Sequence, residues 1–318
     1  MAKKIFLSRI IPQAGMDLLK KSEFNIEILF EENPLSPEAL AEKVKSVHGL
    51  ICLLDDKIDA KLIDSAPQLE VISNMAVGYN NIDIDYAKKK GIAVCNTPGI
   101  LSQSTAELAW ALLFAIARRI PESDKFMRDG KFTGWMPMLM QGQDIAGQTL
   151  GVIGTGSIGT AFALMSKGFN MKVLYSGKTN PVLDKELNAK NVDQDTLIKE
   201  SDFISLHIPM RPENHHLIGE REFKMMKSTA CLINTARGPV INEKELVKAL
   251  KAKHIAGAAL DVYENEPIMA KDLSELNNVV LTPHIGSATV SVRNRLAIMA
   301  VENCLNVLRG QKEENRVV

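Results

Sequence analysis

The sequence predicts an α/β protein built from two doubly wound, parallel-sheet domains. Three observations predict it. Short apolar runs alternate with helix-length amphipathic segments from the first residues, the alternation restarts in the second half after a long apolar helix, and a glycine-rich turn separates the first strand and helix of that second series.

The first series is "KIFLS", "NIEILF", "GLICLL", "LEVISNM" and "IAVCN", with helix candidates such as "SPEALAEKVKSV" between the runs. It pauses at Thr97-Pro98-Gly99, where a helix begins. Ser104 followed by Glu107 has the spacing of a capping box, in which each side chain satisfies a free amide of the first turn. The helix body, "LAWALLFAIA" at residues 108–117, is apolar nearly all round, which predicts burial between larger bodies such as two domains or two subunits. It is about half the length a bilayer span requires. After the loop around Trp135 the second series runs "TLGVIG", "KVLY", "DFISLHIP", "ACLINTARG", "IAGAALDVYE" and "NVVLTPHIG". A last amphipathic helix over residues 290–308 ends at Gly310, a residue type suited to the left-handed turn past a helix end.

A length of 318 residues suits two domains, each able to bury its own core. Lysine plus arginine equals aspartate plus glutamate, 38 each, so no overall basic field draws the chain to nucleic acid or to an anionic membrane surface. The opening "MAKKIFLSRI" reaches Ser8 and Arg9 after too short an apolar run for a secretory signal, and a cytoplasmic protein without a membrane partner is expected. Cys52, Cys95, Cys231 and Cys304 lie far apart among apolar neighbours with no C-x-x-C pair, which predicts reduced core thiols. His215 and His216 are adjacent in a polar loop and read as solvated; no metal is expected.

"GVIGTGSIG" sets Gly154, Gly156 and Gly159 in G-x-G-x-x-G spacing between a strand and a helix. In that context the first glycine permits the tight turn, the second lets backbone approach a pyrophosphate, and the third lets helix and strand pack closely. The free amides of the helix start then face the phosphates. Ligands of such folds lie beyond the carboxyl ends of the strands, and three charged or titratable residues follow strand candidates there: Arg237, Glu266 and His284. A guanidinium grips a carboxylate by two parallel hydrogen bonds, a histidine exchanges a proton near neutral pH, and a carboxylate beside it favours the imidazolium.

"GVIGTGSIG", "NTARG", "LDVYENEP" and "TPHIGSAT", in this order and spacing, closely resemble the D-2-hydroxyacid dehydrogenase family, and within it the glyoxylate/hydroxypyruvate reductases, over residues 5–310. The resemblance implies a Rossmann-type dinucleotide-binding domain, residues 102–287, inserted in a flavodoxin-like substrate domain, residues 1–101 and 288–318. It implies a homodimer built on residues 101–120 and the following arm. It makes Arg237 the clamp on the substrate, His284 the proton donor in reduction and Glu266 its partner. Val77 and Gly78 match a loop whose amides hold the substrate carboxylate. Ser157 and Ile158 match the pyrophosphate turn, Thr105 and Ile208 positions that touch the cofactor, and Thr235 and Asp261 those that hold the nicotinamide amide. Asp261 reads equally as a structural carboxylate at a strand end.

Two departures narrow the resemblance. Val77 stands where phosphite dehydrogenases carry lysine, and "HIGS" lacks the glutamine of the formate dehydrogenase branch. Arg211 replaces a threonine usual in the family and reads as a solvated surface residue. The expected activity is reduction of a small 2-oxo acid, glyoxylate or hydroxypyruvate, by NAD(P)H. A 2-ketogluconate-type sugar-acid reductase is the alternative within the enzyme class, and a nucleotide-sensing binding protein, as in transcriptional corepressors of this fold, the alternative outside it. Leu53, Leu54, Trp135 and Met138 are candidates to line the pocket or to fill core.

The stretch "KVLYSGKT", residues 172–179, ends like a P-loop, but the glycine that motif needs five places before Gly177 is Lys172. An NAD-preferring site would carry an acidic residue after this strand, about 20 residues past the first glycine, on the ribose hydroxyls. Ser176 occupies that place, with Gly177 and Lys178 behind it. A hydroxyl and an ammonium suit the 2′-phosphate that a carboxylate would repel, so NADP(H) is the expected cofactor, with NAD(H) second.

Overall fold

The computed structural model describes residues 3–30 and 33–318. The chain divides into two compact units, one running to Leu101 and resuming at Ser287, the other Ser102–Gly286.

The first unit opens with β1 (Lys4–Leu7), α1 (Gln13–Lys20), β2 (Asn25–Ile28), α2 (Pro37–Val44), β3 (Gly49–Cys52), α3 (Ala60–Asp64), β4 (Val71–Asn74), α4 (Ile84–Lys89) and β5 (Ala93–Cys95). The strands form one parallel sheet in the order β2-β1-β3-β4-β5. Every residue of β3 and β4 is buried, as expected where helices cover both faces of a sheet. Helix starts follow local chemistry: Ser36, Asp59 and Asp83 accept the amides of Ala39, Leu62 and Tyr86 at 3.2, 3.0 and 3.0 Å.

The second unit contains α5 (Ser102–Ala117), α6 (Ile120–Arg128), β6 (Thr149–Ile153), α7 (Ser157–Met165), β7 (Lys172–Ser176), α8 (Pro181–Leu187), β8 (Lys190–Asn191), α9 (Gln194–Glu200), β9 (Phe203–Leu206), α10 (Glu220–Met225), β10 (Cys231–Asn234), α11 (Glu243–Lys251), β11 (Gly257–Leu260) and β12 (Val279–Leu281). Its parallel sheet has the order β12-β11-β10-β9-β6-β7-β8, so the chain winds out from the centre one way and then the other, reversing between β6 and β9. Pairing aligns Ser176, Ile153, Leu206, Asn234, Leu260 and Leu281 in a single row across six strands. The sequence expectation contained every strand except β8, whose two residues are exposed and form no apolar run.

A final helix, α12 (Val290–Leu308), returns to the first unit and packs on α1 and the sheet, burying Leu296, Ala300, Val301 and Cys304. Gly310 past its end has φ +72°, the left-handed turn its residue type permits. The chain end then pairs along β5, Val317 N to Val94 O at 2.7 Å, and covers that sheet edge.

One expectation needs correction. Helix α5 begins at Ser102, so Ser104 lies inside it and no capping box forms with Glu107; the Ser104 hydroxyl instead donates to the Gly286 carbonyl at 3.2 Å. Tertiary bonding outweighs the local cap pattern here. The apolar body of α5 sends Ala109, Trp110, Leu113 and Ile116 into the core of its own unit, against α7, β10 and β11, while Leu108, Phe114 and Ala115 are only partly buried within that unit. Trp110 anchors this packing. It stacks on Phe162 and Phe169, ring centroids 5.2 and 5.3 Å away, and donates its indole N–H to the Phe162 carbonyl at 2.9 Å. Trp110→Ala is expected to lower unfolding free energy by about 3–5 kcal/mol. Urea unfolding followed by circular dichroism checks it, and a loss below about 1 kcal/mol, the level of a surface change, would place the anchor elsewhere.

Candidate active site

The aligned row determines what stands at the carboxyl edge of the second unit's sheet. One residue beyond it come Gly177, Gly154, His207, Thr235, Asp261 and Thr282, side by side on parallel strands. The glycine turn occupies the point where strand order reverses. A Cβ on Gly154, whose φ is +94°, would lie 2.6 Å from Ile208 Cγ2 and 2.7 Å from the His207 carbonyl oxygen. One on Gly159 would lie 2.0 Å from the Gly154 carbonyl oxygen. Gly156, which precedes α7, would meet nothing within 4 Å. Two glycines are therefore required by packing, while the third keeps open ground before a helix start, where the amides of Ser157 and Ile158 lack intrahelical partners.

Around this turn the other cofactor candidates take distinct states. Thr105 is buried and donates to the Gly286 carbonyl at 3.2 Å, and Ile208 packs on Gly154. Thr235 is buried with its hydroxyl unpartnered among the described residues, an uncommon condition that a bound polar group relieves. Ser176 ends β7 at the level of Ile153, Gly177 follows with φ +125°, and Lys178 is exposed. The turn is tied by Thr155 Oγ1 to the Lys178 carbonyl at 3.1 Å and by Asn191 Nδ2 to the Gly177 carbonyl at 3.3 Å.

Arg237, Glu266 and His284 come from the ends of adjacent strands β10, β11 and β12 and gather at one edge. His284 Nδ1 lies 2.8 Å from Glu266 Oε2, and Glu266 Oε1 accepts the Tyr263 amide at 3.0 Å. Burial pushes the Glu266 carboxyl up, but its bond to His284, the charges of His284 and Arg237 and the Tyr263 amide together hold it below the usual range. Burial lowers Arg237 from the ordinary guanidinium value, against the opposing charge of Glu266. The guanidinium makes one hydrogen bond among the described residues, Nη1 to the Ala236 carbonyl at 2.7 Å. Asn234 fixes the turn beneath it, donating to the Arg237 carbonyl at 3.0 Å and accepting the Ala236 amide at 2.9 Å.

His284 sits at φ +53°, a left-handed conformation that a non-glycine residue adopts only when its surroundings impose it. Asp261 imposes it. The Asp261 carbonyl accepts the His284 amide at 2.9 Å, while its buried carboxylate accepts Thr282 Oγ1 at 2.7 Å and the Ile285 and Gly286 amides at 2.8 Å each. Burial raises this carboxyl against those bonds. Asp261 thus braces the turn that follows β12.

In the first unit, Val77 and Gly78 follow β4 on a loop whose peptide planes are pinned by their carbonyls, Asn96 Nδ2 to Val77 O and Asn74 Nδ2 to Gly78 O, both 2.9 Å. Asn74 also reaches Asn81, which in turn donates to the Leu53 and Asp56 carbonyls at 3.1 and 3.0 Å. The buried Asp56 carboxylate completes the network with Ser8, Arg9 and the Leu53 amide. Sequence reading named Val77, Gly78 and Leu53 but not the polar residues that brace them, Asn74, Asn81, Asn96 and Asp56, because their bonds run mostly to backbone and to distant side chains.

Other expectations meet mixed outcomes. All four cysteines are buried and free, and burial pushes the Cys95 and Cys231 thiols up to about 12. Arg211 is exposed beside Glu213, 3.8 Å away. Trp135 and Met138 are 82% and 75% exposed, so neither fills core. His216 is not merely solvated: its Nε2 lies 2.7 Å from Glu264 Oε1 and its ring stacks on His215. His215, His216 and Glu264 bring ligand-type atoms within 4.8 Å of one another, a grouping adjacency in sequence did not suggest. A cleft of about 790 Å³, lined by Cys231, Lys251 and Asn278, lies at the amino ends of the strands, opposite this chemistry.

The sequence profile of the D-isomer specific 2-hydroxyacid dehydrogenase NAD binding domain matches residues 110–286. A glyoxylate reductase of Thermococcus litoralis is 47% identical, over all of this chain and 97% of its own length. The crystal structure of a glyoxylate reductase from Paecilomyes thermophila superposes with a TM-score of 0.86 at 29% identity, covering 99% of this chain and 98% of that one. An NADPH-dependent glyoxylate/hydroxypyruvate reductase from Sinorhizobium meliloti, in complex with NADP and malonate, gives a TM-score of 0.88 at 26% identity, over all of this chain and 97% of that one. With a family profile spanning more than half of the chain and a relative this similar over its full length, the chain belongs to the D-isomer specific 2-hydroxyacid dehydrogenases.

Proposed function

We propose that the protein reduces a small 2-oxo acid, glyoxylate or hydroxypyruvate, to the D-2-hydroxy acid, with NADPH preferred over NADH. The observation that carries this reading is the His284–Glu266 contact of 2.8 Å beside the half-buried guanidinium of Arg237. With Nδ1–H directed at the Glu266 carboxylate, His284 Nε2 carries the proton that the substrate carbonyl oxygen receives. Glu266 orients the ring and stabilises its charged form. Arg237 holds substrate through the donors that Ala236 leaves unused. Val77 and Gly78 are assigned to the substrate carboxylate on the family resemblance of their loop.

The chain's residues fit a nicotinamide dinucleotide. Gly156 keeps the approach to α7 open, the unpartnered Thr235 hydroxyl can bond the nicotinamide amide, and Asp261 supports the neighbouring turn. The bound reduced cofactor supplies the hydride for the carbonyl carbon. Ser176 and Lys178 are assigned to the 2′-phosphate. A homodimer suits the exposed Phe132, Trp135 and Met138 after α6, and a cytoplasmic location suits four free thiols.

Three outcomes are expected. His284→Ala lowers kcat for glyoxylate reduction by roughly 10²–10⁴-fold with cofactor affinity nearly unchanged; near-native turnover would remove His284 from the reaction. Reduction needs the imidazolium, so its rate falls as pH rises and the pair loses its proton. Glu266→Gln removes the carboxylate that favours the charged ring, and the fall moves to lower pH; an unmoved kcat/KM profile would contradict the pairing. For the cofactor, a hydrogen bond to a charged group contributes roughly 1.5–3 kcal/mol, so Lys178 alone favours NADPH by about 10–100-fold. Lys178→Ala should narrow the preference in kcat/KM and Ser176→Asp reverse it, and a wild type at least as efficient with NADH would overturn the assignment while leaving the reductase reading intact.

A further inference from the structure

Beside the catalytic cluster lies a second set of acidic and histidine side chains that the reaction as proposed does not use. Glu243 is buried, 5% exposed, in the first turn of α11, where a carboxylate also faces the positive end of the helix dipole. Its Oε1 accepts the amide of Glu264 at 2.6 Å and its Oε2 the amide of Ala270 at 2.9 Å. Those two amides bracket Glu266. Glu264 reciprocates, its Oε2 accepting the Glu243 amide at 3.2 Å and its Oε1 meeting His216 Nε2 at 2.7 Å. His216 is itself tied down, its amide donating to the Pro239 carbonyl at 2.8 Å and its Nδ1 facing Asn242 Nδ2 at 3.4 Å.

The bracketed loop also begins against the residue after Arg237. A Cβ on Gly238 would lie 1.8 Å from the Tyr263 carbonyl oxygen, so residues 263 and 264 can sit there only on glycine. The loop over residues 264–270 is thus held at its start by Gly238, at both ends by Glu243, and on its flank by His216. Its cargo is Glu266, whose carboxylate lies 2.8 Å from the His284 ring.

We propose that Glu243 is a positioning residue for the Glu266–His284 pair, its carboxylate clamping both ends of the loop that carries Glu266, with the His216–Glu264 contact bracing the clamp. The inference rests on the reductase reading, in which Glu266 serves His284. An acceptor-only side chain is required because both partners are backbone donors. A glutamine of the same shape turns an N–H toward one of those amides, freeing one end of the loop. Glu266 then loses its aim while remaining chemically intact. The charged and titratable groups facing Glu266 are His284, Arg237 and Tyr263, with Asp261 facing His284 and Tyr263 in turn, and those facing the clamp are Glu264, His216, His215 and Tyr263.

The test compares wild type, Glu243→Gln, Glu266→Gln and the double variant in glyoxylate reduction across pH at saturating NADPH, with NADPH affinity followed by fluorescence. Glu243→Gln should lower kcat by about 10–100-fold, as a misplaced group of intact chemistry does, with cofactor affinity within about twofold. Its profile should fall at lower pH, in the direction of Glu266→Gln, and in the Glu266→Gln background it should cost little more, because both act through one carboxylate. A Glu243→Gln profile that coincides with wild type, or a rate loss that multiplies in full on Glu266→Gln, overturns the inference. Should Glu243→Gln not fold, Ala270→Pro carries the same comparison: φ there is −57°, which proline accepts, and the ring deletes the clamped N–H and displaces the Glu243 carboxylate from that end of the loop while leaving its chemistry intact. A wild type that reduces no 2-oxo acid with either cofactor would instead overturn the reductase reading itself, an outcome distinct from an active enzyme indifferent to Glu243.

Discussion

The second unit depends on the register of one parallel sheet. Because hydrogen bonding aligns Ser176, Ile153, Leu206, Asn234, Leu260 and Leu281, every chemically active segment leaves its strand at the same height. A slip of one residue on β11 would turn its side chains to the opposite face and carry Asp261 out of reach of the Ile285 and Gly286 amides. The sheet resists such slips because β9, β10 and β11 are buried along their whole lengths. The apolar interior thereby fixes where polar groups can stand, and the loops beyond only have to hold them.

Two buried carboxylates do that holding, by the same physical device. Asp261 gathers the amides of Ile285 and Gly286 and the hydroxyl of Thr282, which bends the chain so that His284 takes a left-handed conformation. Glu243 gathers the amides of Glu264 and Ala270 on the loop opposite. An ionised carboxylate accepts from several donors and offers none, so it organises a turn of backbone N–H groups that no neutral side chain of similar size can. The histidine and its glutamate are each carried on a loop tied to a different buried acid, and their 2.8 Å contact is the meeting of the two.

What the sequence disclosed follows the same division. Apolar runs marked eleven of the twelve strands among the described residues, whether buried along their length as in β3, β4, β9, β10 and β11 or only partly covered as in β2; β8, with its exposed Lys190 and Asn191, had no such signal. The glycine turn and the placing of Arg237, Glu266 and His284 past neighbouring strand ends were legible because spacing after a strand decides where a residue stands. Glu243, Glu264 and His216 were not, since their partners are backbone amides or side chains 21–48 positions away. Ser104 misled for a related reason: its hydroxyl had a local cap in view and a better partner at Gly286, 182 residues on. Local pattern reveals elements and motifs, whereas long-range bonds to backbone are written in no single stretch.

The commitment of Glu266 also explains how Arg237 stays available. Glu266 gives one oxygen to the Tyr263 amide and the other to His284, and no direct ion pair with Arg237 forms among the described residues. The guanidinium feels that charge at a distance without being covered by it. In the proposed reaction, Arg237, an imidazolium at His284 and a carboxylate at Glu266 sum to a single positive charge, which a 2-oxo acid with one carboxylate neutralises. Proton transfer removes the imidazolium charge, and hydride transfer leaves a balancing positive charge on the oxidised nicotinamide, so the net charge around the hydroxy acid is the same as around the acid that entered. What changes is where the positive charge stands: His284 is left neutral beside the Glu266 carboxylate and must regain a proton before it can serve another turnover.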